Sequence, residues 1–329
     1  MKVTFKDVGQ GDSIMLEWND CGKDKVAIID CNKKSGKNPV KDHIEASGYK
    51  EIEFLILSHP HSDHYSGMNE LFDFVEKNNI TIKSFGHTLF ILGRDFYRYL
   101  KWVEVESAEM EDLQKLVTRI DELRTAGHIR KIEFISEKWT EQLSEDIELR
   151  CISPGQTEAE YYMKGVKYEP DKNKKKASES ANYLSTMFCL VRGEKYFLLT
   201  ADTETVSMER LLAEQAHKVL RDKYLYVAQL PHHGSAKNRH DAFWDSLKKN
   251  KERHAVASAG YNLKYQHPDL DVMKVFYDND YSVTCTNIYH GSKEFLDYLI
   301  GLKAASDRLD TVSSLIDRYV AGEKVYHLQ

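Results

Sequence analysis

Five short apolar runs in this chain stop at, or just before, a histidine or an aspartate. "VAIID" ends on Asp30, "FLILS" is followed by His59, His61, Asp63 and His64, "YFLLT" leads to Asp202, "LYVAQL" leads to His232 and His233, and "AVASA" leads after a loop to His267. Short runs this rich in Val, Ile, Leu and aromatics read as strands buried on both faces. Helical patterns separate several of them. In "YSGMNELFDFVEK", Met68, Leu71, Phe72 and Val75 fall at i, i+3, i+4 and i+7, one apolar stripe; "SMERLLAEQAHKVL", "DAFWDSLKK" and "PDLDVMKVFYDN" behave alike. Strands alternating with helices predict a layered α/β fold. In a largely parallel sheet the carboxyl ends of strands share an edge where ligands sit, so residues distant in sequence converge there.

The opening "KVTFKDVG" and "SIMLEW" read as two strands joined across "GQGD", where Gly9 and Gly11 supply turn conformations. Two segments stand outside the alternation. Residues 94–126 are helical in tendency, with a seam of Met110, Leu113, Leu116, Val117, Ile120 and Leu123. The stretch 293–321 repeats the pattern through Leu309, Val312, Leu315, Ile316 and Val320. Such seams fit either the chain's own core or a partner protein. "YEPDKNKKKASES", 168–180, reads as an exposed loop. With no internal repeat and no clear linker, the expected organisation is one main domain over 1–293, with a helical insertion at about 94–150, and a helical extension over 294–329.

Length and composition exclude some classes. A chain of 329 residues with 41% hydrophobic content fills a real core. Its 46 Lys and Arg against 52 Asp and Glu give no bulk basic signature, so a polyanion would have to meet a local patch. No apolar run approaches the roughly 18 residues of a spanning helix, and the amino terminus lacks a signal pattern, so the expectation is a cytoplasmic protein with no membrane partner. Five scattered cysteines without a CxxC pair argue against a disulfide framework or a structural zinc knot and read as plain buried thiols.

The residues after the strands favour a metal. Imidazole nitrogen and carboxylate oxygen are donors that zinc, manganese and iron accept, and His-x-His on extended backbone points both rings to one side. His59 and His61 would hold one ion. Asp63 and His64, in the first turn of the next helix, would address a second, Asp202 would bridge, and His232 would complete the second ion. Two ions about 3.5 to 4 Å apart activate a shared water while polarising a substrate.

"HPHSDH" matches the HxHxDH hallmark of the metallo-β-lactamase-fold hydrolases, which this chain resembles. "FKDVGQGDSIML", "LSHPHSDHYSGM", "YFLLTADTE", "LPHHGS" and "YQHPDLDVM" are similar, in the family's order, to the successive motifs of its ComEC-type branch, named for the hydrolase domain of bacterial DNA-uptake channels. The resemblance implies a four-layer αββα sandwich with helical additions, a dinuclear site of zinc or manganese on one edge, and the metal set His59, His61, Asp63, His64, Asp202 and His232. It further implies that Asp30 supports the ligands by hydrogen bonding, that Asp12 belongs to a motif around the site, that His267 stands over the reaction centre beside the catalytic Asp63, and that His233 braces its loop. Three departures stand out. The histidine that often precedes the bridging aspartate is missing, with Asn182 the nearest polar candidate; Ala201 replaces a glycine; and the channel's membrane part is absent.

The branch points to phosphodiester cleavage, with DNA as the expected substrate. Lys237 and Arg239 follow "PHHGS" where a basic side chain could meet a phosphate, and Lys264 lies close before His267. The "KNKKK" run, Lys172 to Lys176, reads as a solvated loop. Two other readings stay open: hydrolysis of a small phosphodiester, phosphonate or lactone in a capped pocket, and a hydrolytic effector docked on a larger machine, for example in genome defence.

Overall fold

Val26 and Ile28 turn to one face of their strand and Ala27 and Ile29 to the other, and both pairs are buried, each in a different apolar cluster. Met15 and Leu16 divide in the same way, as do Leu55 and Ile56. Burial on both faces is why these strands read as unbroken apolar runs instead of alternating ones.

The computed structural model describes residues 1–88, 107–167, 174–260, 262–287, 292–305 and 321–329. Its described strands form two seven-stranded sheets. The first holds β1 (Lys2–Phe5), β2 (Ile14–Asp20), β3 (Lys23–Ile29), β4 (Glu51–Leu57), β5 (Thr81–His87) and β6 (Ile129–Phe134) in chain order. The second runs β7 (Thr140–Ser144), β8 (Ile147–Ser153), β9 (Met187–Arg192), β10 (Lys195–Leu199), β11 (Tyr224–Gln229), β12 (Lys249–Ala257) and β13 (Ser282–Cys285). Each sheet begins antiparallel and turns parallel, from β3 onward in the first and from β10 onward in the second. The last strand, β14 (Lys324–His327), closes the first sheet antiparallel to β1.

Phe5, Leu16, Phe54 and Ile56 of the first sheet share one buried cluster with Phe188, Leu190, Phe197 and Val227 of the second, so the sheets pack face to face. Outside the first sheet lie α1 (Pro39–Ser47), α2 (Ser62–Tyr65), α3 (Met68–Lys77), α4 (Ser107–Ala126), α5 (Gln156–Lys167) and α6 (Lys174–Glu179), all contributing to one core. Outside the second lie α7 (Thr205–Glu214), α8 (Lys218–Asp222), α9 (Asp241–Ser246), α10 (Leu270–Asp278) and α11 (Ser292–Ala305). This is the four-layer αββα sandwich. The α3 stripe is buried as its spacing predicts, through Met68, Leu71, Phe72 and Val75; each such side chain contributes about 1.5–3 kcal/mol.

Several expectations change. The seam Leu113, Leu116, Val117, Ile120 and Leu123 packs into the chain's own core, while residues 94–106 of that prediction lie outside the described residues. The 94–150 insertion is not helical throughout: after α4 it contributes β6, β7 and the start of β8, because apolar residues such as Ile129 and Leu149 complete sheet faces. Within 168–180 the residues from Lys174 form α6, held by the burial of Ala177 and Ser178. The 294–329 stretch is not wholly helical either, since β14 pairs with the amino-terminal strand, a partner no local pattern reveals. Leu309, Val312, Leu315, Ile316 and Val320 lie outside the described residues. Four cysteines are buried and free, but Cys21 is exposed in a turn. Among the described residues no helix is long and apolar enough to cross a membrane.

Candidate metal centre

The carboxyl ends of β3, β4, β10, β11 and β12, all in the parallel halves of the sheets, open on one edge. Asp30 follows β3 with φ 60°, a left-handed turn that sends its buried carboxylate back under the cluster. There it accepts from the Ser58 backbone N at 2.7 Å and the Ser58 hydroxyl at 2.6 Å, and lies 2.7 Å from His64 Nδ1. A carboxylate on Nδ1 fixes the ring and turns Nε2 inward. Gly11 lets the first loop close over α2: a Cβ there would collide with the Asp63 carbonyl, to which the Asp12 N–H donates at 3.1 Å.

His59 Nε2 and His61 Nδ1 are 3.2 Å apart, and His61 Nε2 lies 3.0 Å from the Ser178 carbonyl, which leaves its other nitrogen toward the cluster. Asp202 then divides the imidazoles. Its Oδ2 is 3.7 Å from His59 Nε2 and 3.5 Å from His232 Nε2; its Oδ1 is 3.4 Å from His64 Nε2 and 3.3 Å from His233 Nε2. His233 also meets Asp63 Oδ2 at 3.2 Å. His64 Nε2 and Asp202 Oδ1 are buried and have no hydrogen-bond partner among the described residues. Buried polar atoms left so, facing one another, suit a cation between them. Asp63, His64, Asp202 and His233 form one group able to hold a metal, and His59, His61 and Asp202 another.

The grouping differs from the sequence reading at the paired histidines. His233, expected to brace the loop, stands with Asp63 and His64, and His232, expected there, faces the His59 side. Both residues adopt left-handed backbone, φ 49° and 58°, and their rings are perpendicular, so consecutive side chains aim at different places. The Ser258 carbonyl at 2.8 Å from His233 Nδ1 orients that ring, and His232 Nδ1 is met by the Asn182 amide at 3.4 Å. Asn182 thus lies behind His232, on the ring nitrogen that faces away from Asp202. His267 stands beside His232, ring centroids 5.7 Å apart. Lys237 is exposed on the turn that follows.

Charge is concentrated accordingly. Burial opposes ionisation of Asp202 and Asp63, yet the surrounding imidazoles hold both well below the usual carboxylate range. Burial likewise opposes His64 and His233, and Asp202 with its neighbouring carboxylates raises both, His233 to about 9. Burial lowers His59 and His61. Burial lifts Asp12 to about 6; its carboxylate accepts from Gln229 at 2.9 Å and lies 3.8 Å from His64 Nδ1. Burial and then His232 and His233 bring His267 to about 4. Sequence reading missed Ser58, Gln229, whose Oε1 accepts from the Thr200 N–H at 2.8 Å, and Glu204, which accepts from Asn182 at 3.2 Å. Ser58 and Glu204 left a signal, their places in "LSHPHSDHYSGM" and "TADTE"; Gln229 left none.

A four-layer αββα sandwich with a histidine and aspartate cluster where its parallel strands end is the metallo-β-lactamase fold. No family model and no curated protein matches the chain. Among solved structures, it is similar to the metallo-β-lactamase fold protein YhfI from Bacillus subtilis at 9% identity and TM-score 0.44, covering 88% of this chain and 96% of that one. A diphosphatase of the PhnP family is similar at 10% identity and TM-score 0.37, over 78% of this chain and 85% of that one. A long-form RNase Z from yeast follows at 10% identity and TM-score 0.38, over 88% of this chain and 40% of that one.

Proposed function

We propose that the chain is a metal-dependent hydrolase of phosphodiester bonds, with DNA as its substrate and a ComEC-type ancestry. The observation that carries the reading is the division of histidines about Asp202, two on each carboxylate oxygen. His59, His61 and His232 would surround one divalent ion, zinc or manganese, and Asp63, His64 and His233 the other, with Asp202 between. Bound there, such ions supply an activated water and draw charge from a phosphoryl oxygen. The chain's own part is positional. Asp30 and the Ser258 carbonyl hold His64 and His233 in register, and His267, outside the cluster beside His232, would steady the leaving oxygen. Lys237, exposed on the turn after His233, would meet a phosphate. The five motif stretches support DNA over other diesters.

The small-substrate alternative draws on α4, whose Glu109 meets Ser62 at 3.2 Å and Tyr65 at 2.8 Å, beside the helix that carries Asp63 and His64. The test is a hydrolysis screen of protein loaded with manganese or zinc against single-stranded DNA, duplex DNA, RNA, a cyclic dinucleotide and a lactone. Cleavage of DNA, abolished in Asp63→Ala and slowed about 10²- to 10⁴-fold in His267→Ala with metal content unchanged, is the expected result. Turnover of the lactone or cyclic dinucleotide alone would replace DNA with the small substrate.

A further inference from the structure

Two aromatic and lysine pairs flank the metal cluster, and both connect to it through His232. On one side the loop after β12 displays Leu263 and Tyr265, 67% and 50% exposed, larger fractions than any other described large apolar or aromatic side chain. Disorder does not explain this exposure. Asn262 Oδ1 accepts from the Lys264 and Tyr265 backbone N–H groups at 2.9 and 3.3 Å, its carbonyl accepts from Gln266 at 2.8 Å, and Gln266 turns left-handed at φ 56°. Just beyond, Asp269 donates to the Gly234 carbonyl at 2.9 Å, so the loop is fastened to the turn that carries His232 and His233. The Tyr265 ring lies within 13° of parallel to His267, centroids 6.1 Å apart, with the Lys264 ammonium 4.7 Å from its centre.

On the other side Asn182 touches His232, and the next residue, Tyr183, meets Tyr161 of α5 at 5.2 Å between centroids. Tyr161 is 42% exposed, and Lys164, one turn along the same helix, holds its ammonium 5.4 Å from that ring. α6, carrying exposed Lys175 and Lys176, ends where the Ser178 carbonyl meets His61. An exposed ring costs solvation and is normally scattered at random. Here two rings, each with a lysine, reach one cluster through separate contacts to His232, Tyr265 by way of His267 and Tyr161 by way of Tyr183 and Asn182. Exposed aromatics beside cations that follow a backbone are how proteins bind single strands irrespective of sequence, since every base offers a face to stack.

We propose that Tyr265 and Tyr161 are base-stacking platforms on either side of the metal centre, which hold a single-stranded nucleic acid so that the phosphate between the stacked bases lies at Asp202. The proposal rests on the phosphodiesterase reading for what happens at that phosphate, but it makes its own prediction about binding.

The probe is a phosphorothioate-linked deoxythymidine decamer, which resists cleavage, set against an abasic strand of the same length and backbone. Binding to the full chain is read by fluorescence anisotropy. Stacking of one base is worth about 1–3 kcal/mol, roughly 5- to 150-fold in affinity, so the thymidine strand should bind at least about tenfold tighter than the abasic one. Tyr265→Ala and Tyr161→Ala should each remove most of that preference without weakening the abasic strand, while Tyr265→Phe, which keeps the ring, should restore it. Tyr265 is exposed, so its loss leaves the core intact. Equal affinity of the wild-type chain for both strands, or a preference that survives both alanine variants, overturns the platforms. Hydrolysis of diesters with no base preference would end this proposal and spare the reaction; base preference without hydrolysis of any diester would do the reverse.

Discussion

Asp30 shows how much of the centre depends on a side chain that need never touch an ion. Its carboxylate serves His64 Nδ1 and both polar groups of Ser58 at 2.6 to 2.7 Å, in a site with no water-exposed surface to substitute for it. Removing it frees the His64 ring and its tautomer, and loss of such an orienting partner weakens metal affinity about 10- to 100-fold. Asp30→Ala should therefore lose that much affinity for the ion beside Asp63 and His64, with the His59 side changed far less, as read by competition with a chelator of known affinity. Asp30→Asn, which preserves the shape and the acceptor for Ser58, should fall between. Equal weakening of both ions, or of neither, would show that Asp30 acts only on the fold. HxHxDH was legible because its spacing is local and chemical. Which of His232 and His233 faces which carboxylate oxygen was not, because that depends on two left-handed backbone angles and on the distant Ser258 carbonyl and Asp269 amide that hold them.

Helices α5 and α7 belong to opposite outer layers and are joined by ions. Arg210 of α7 is 8% exposed and meets Glu158 of α5, fully buried, at 2.8 Å; it also reaches Glu137 at 2.9 Å, Glu214 at 3.0 Å and the Ile152 carbonyl at 3.0 Å. α7 begins shortly after Asp202 and α5 carries Tyr161, so this network clamps both approaches to the centre. Taking Glu158 away leaves Arg210 only the part-exposed carboxylates of Glu137 and Glu214, and breaking a buried pair costs about 3–5 kcal/mol, whereas an exposed pair is worth about 1 kcal/mol or less. Glu158→Ala should destabilise the chain by the larger figure and Glu214→Ala, whose carboxylate is half exposed, by no more than the smaller, in urea unfolding curves. Equal losses would mean that burial is not what gives the pair its weight. Neither this network nor β14 could be read from sequence. A glutamate three residues into a helix and four residues at the chain's end look ordinary until folding brings Arg210 and β1 beside them, whereas the α3 stripe needed no distant partner to be recognised.

The centre is assembled across both sheets. His59, His61, Asp63 and His64 follow β4 of the first, while Asp202 follows β10 and His233 follows β11 of the second. Among the carboxylates and imidazoles crowded at that seam, the buried His64 Nε2 and Asp202 Oδ1 have no hydrogen-bond partner among the described residues, so an ion bound between them would draw the two sheets together at their open edge. A ligand that binds only the folded state stabilises it by RT ln(1 + [L]/Kd), about 4 kcal/mol when free metal stands a thousandfold above Kd. At roughly 2–4 °C per kcal/mol for a large domain, a chelator should lower the melting temperature by about 10 °C. Amide exchange should then quicken together after β4 and after β10 and β11, because the link between sheets is what is lost. Asp202→Ala, which removes the carboxylate that faces both groups of histidines, should begin near the chelated melting temperature and respond little to added metal. Exchange that quickens in one sheet alone would place the ion within that sheet, and a melting temperature indifferent to chelator would leave the cluster without the structural hold that its geometry assigns to a bound cation.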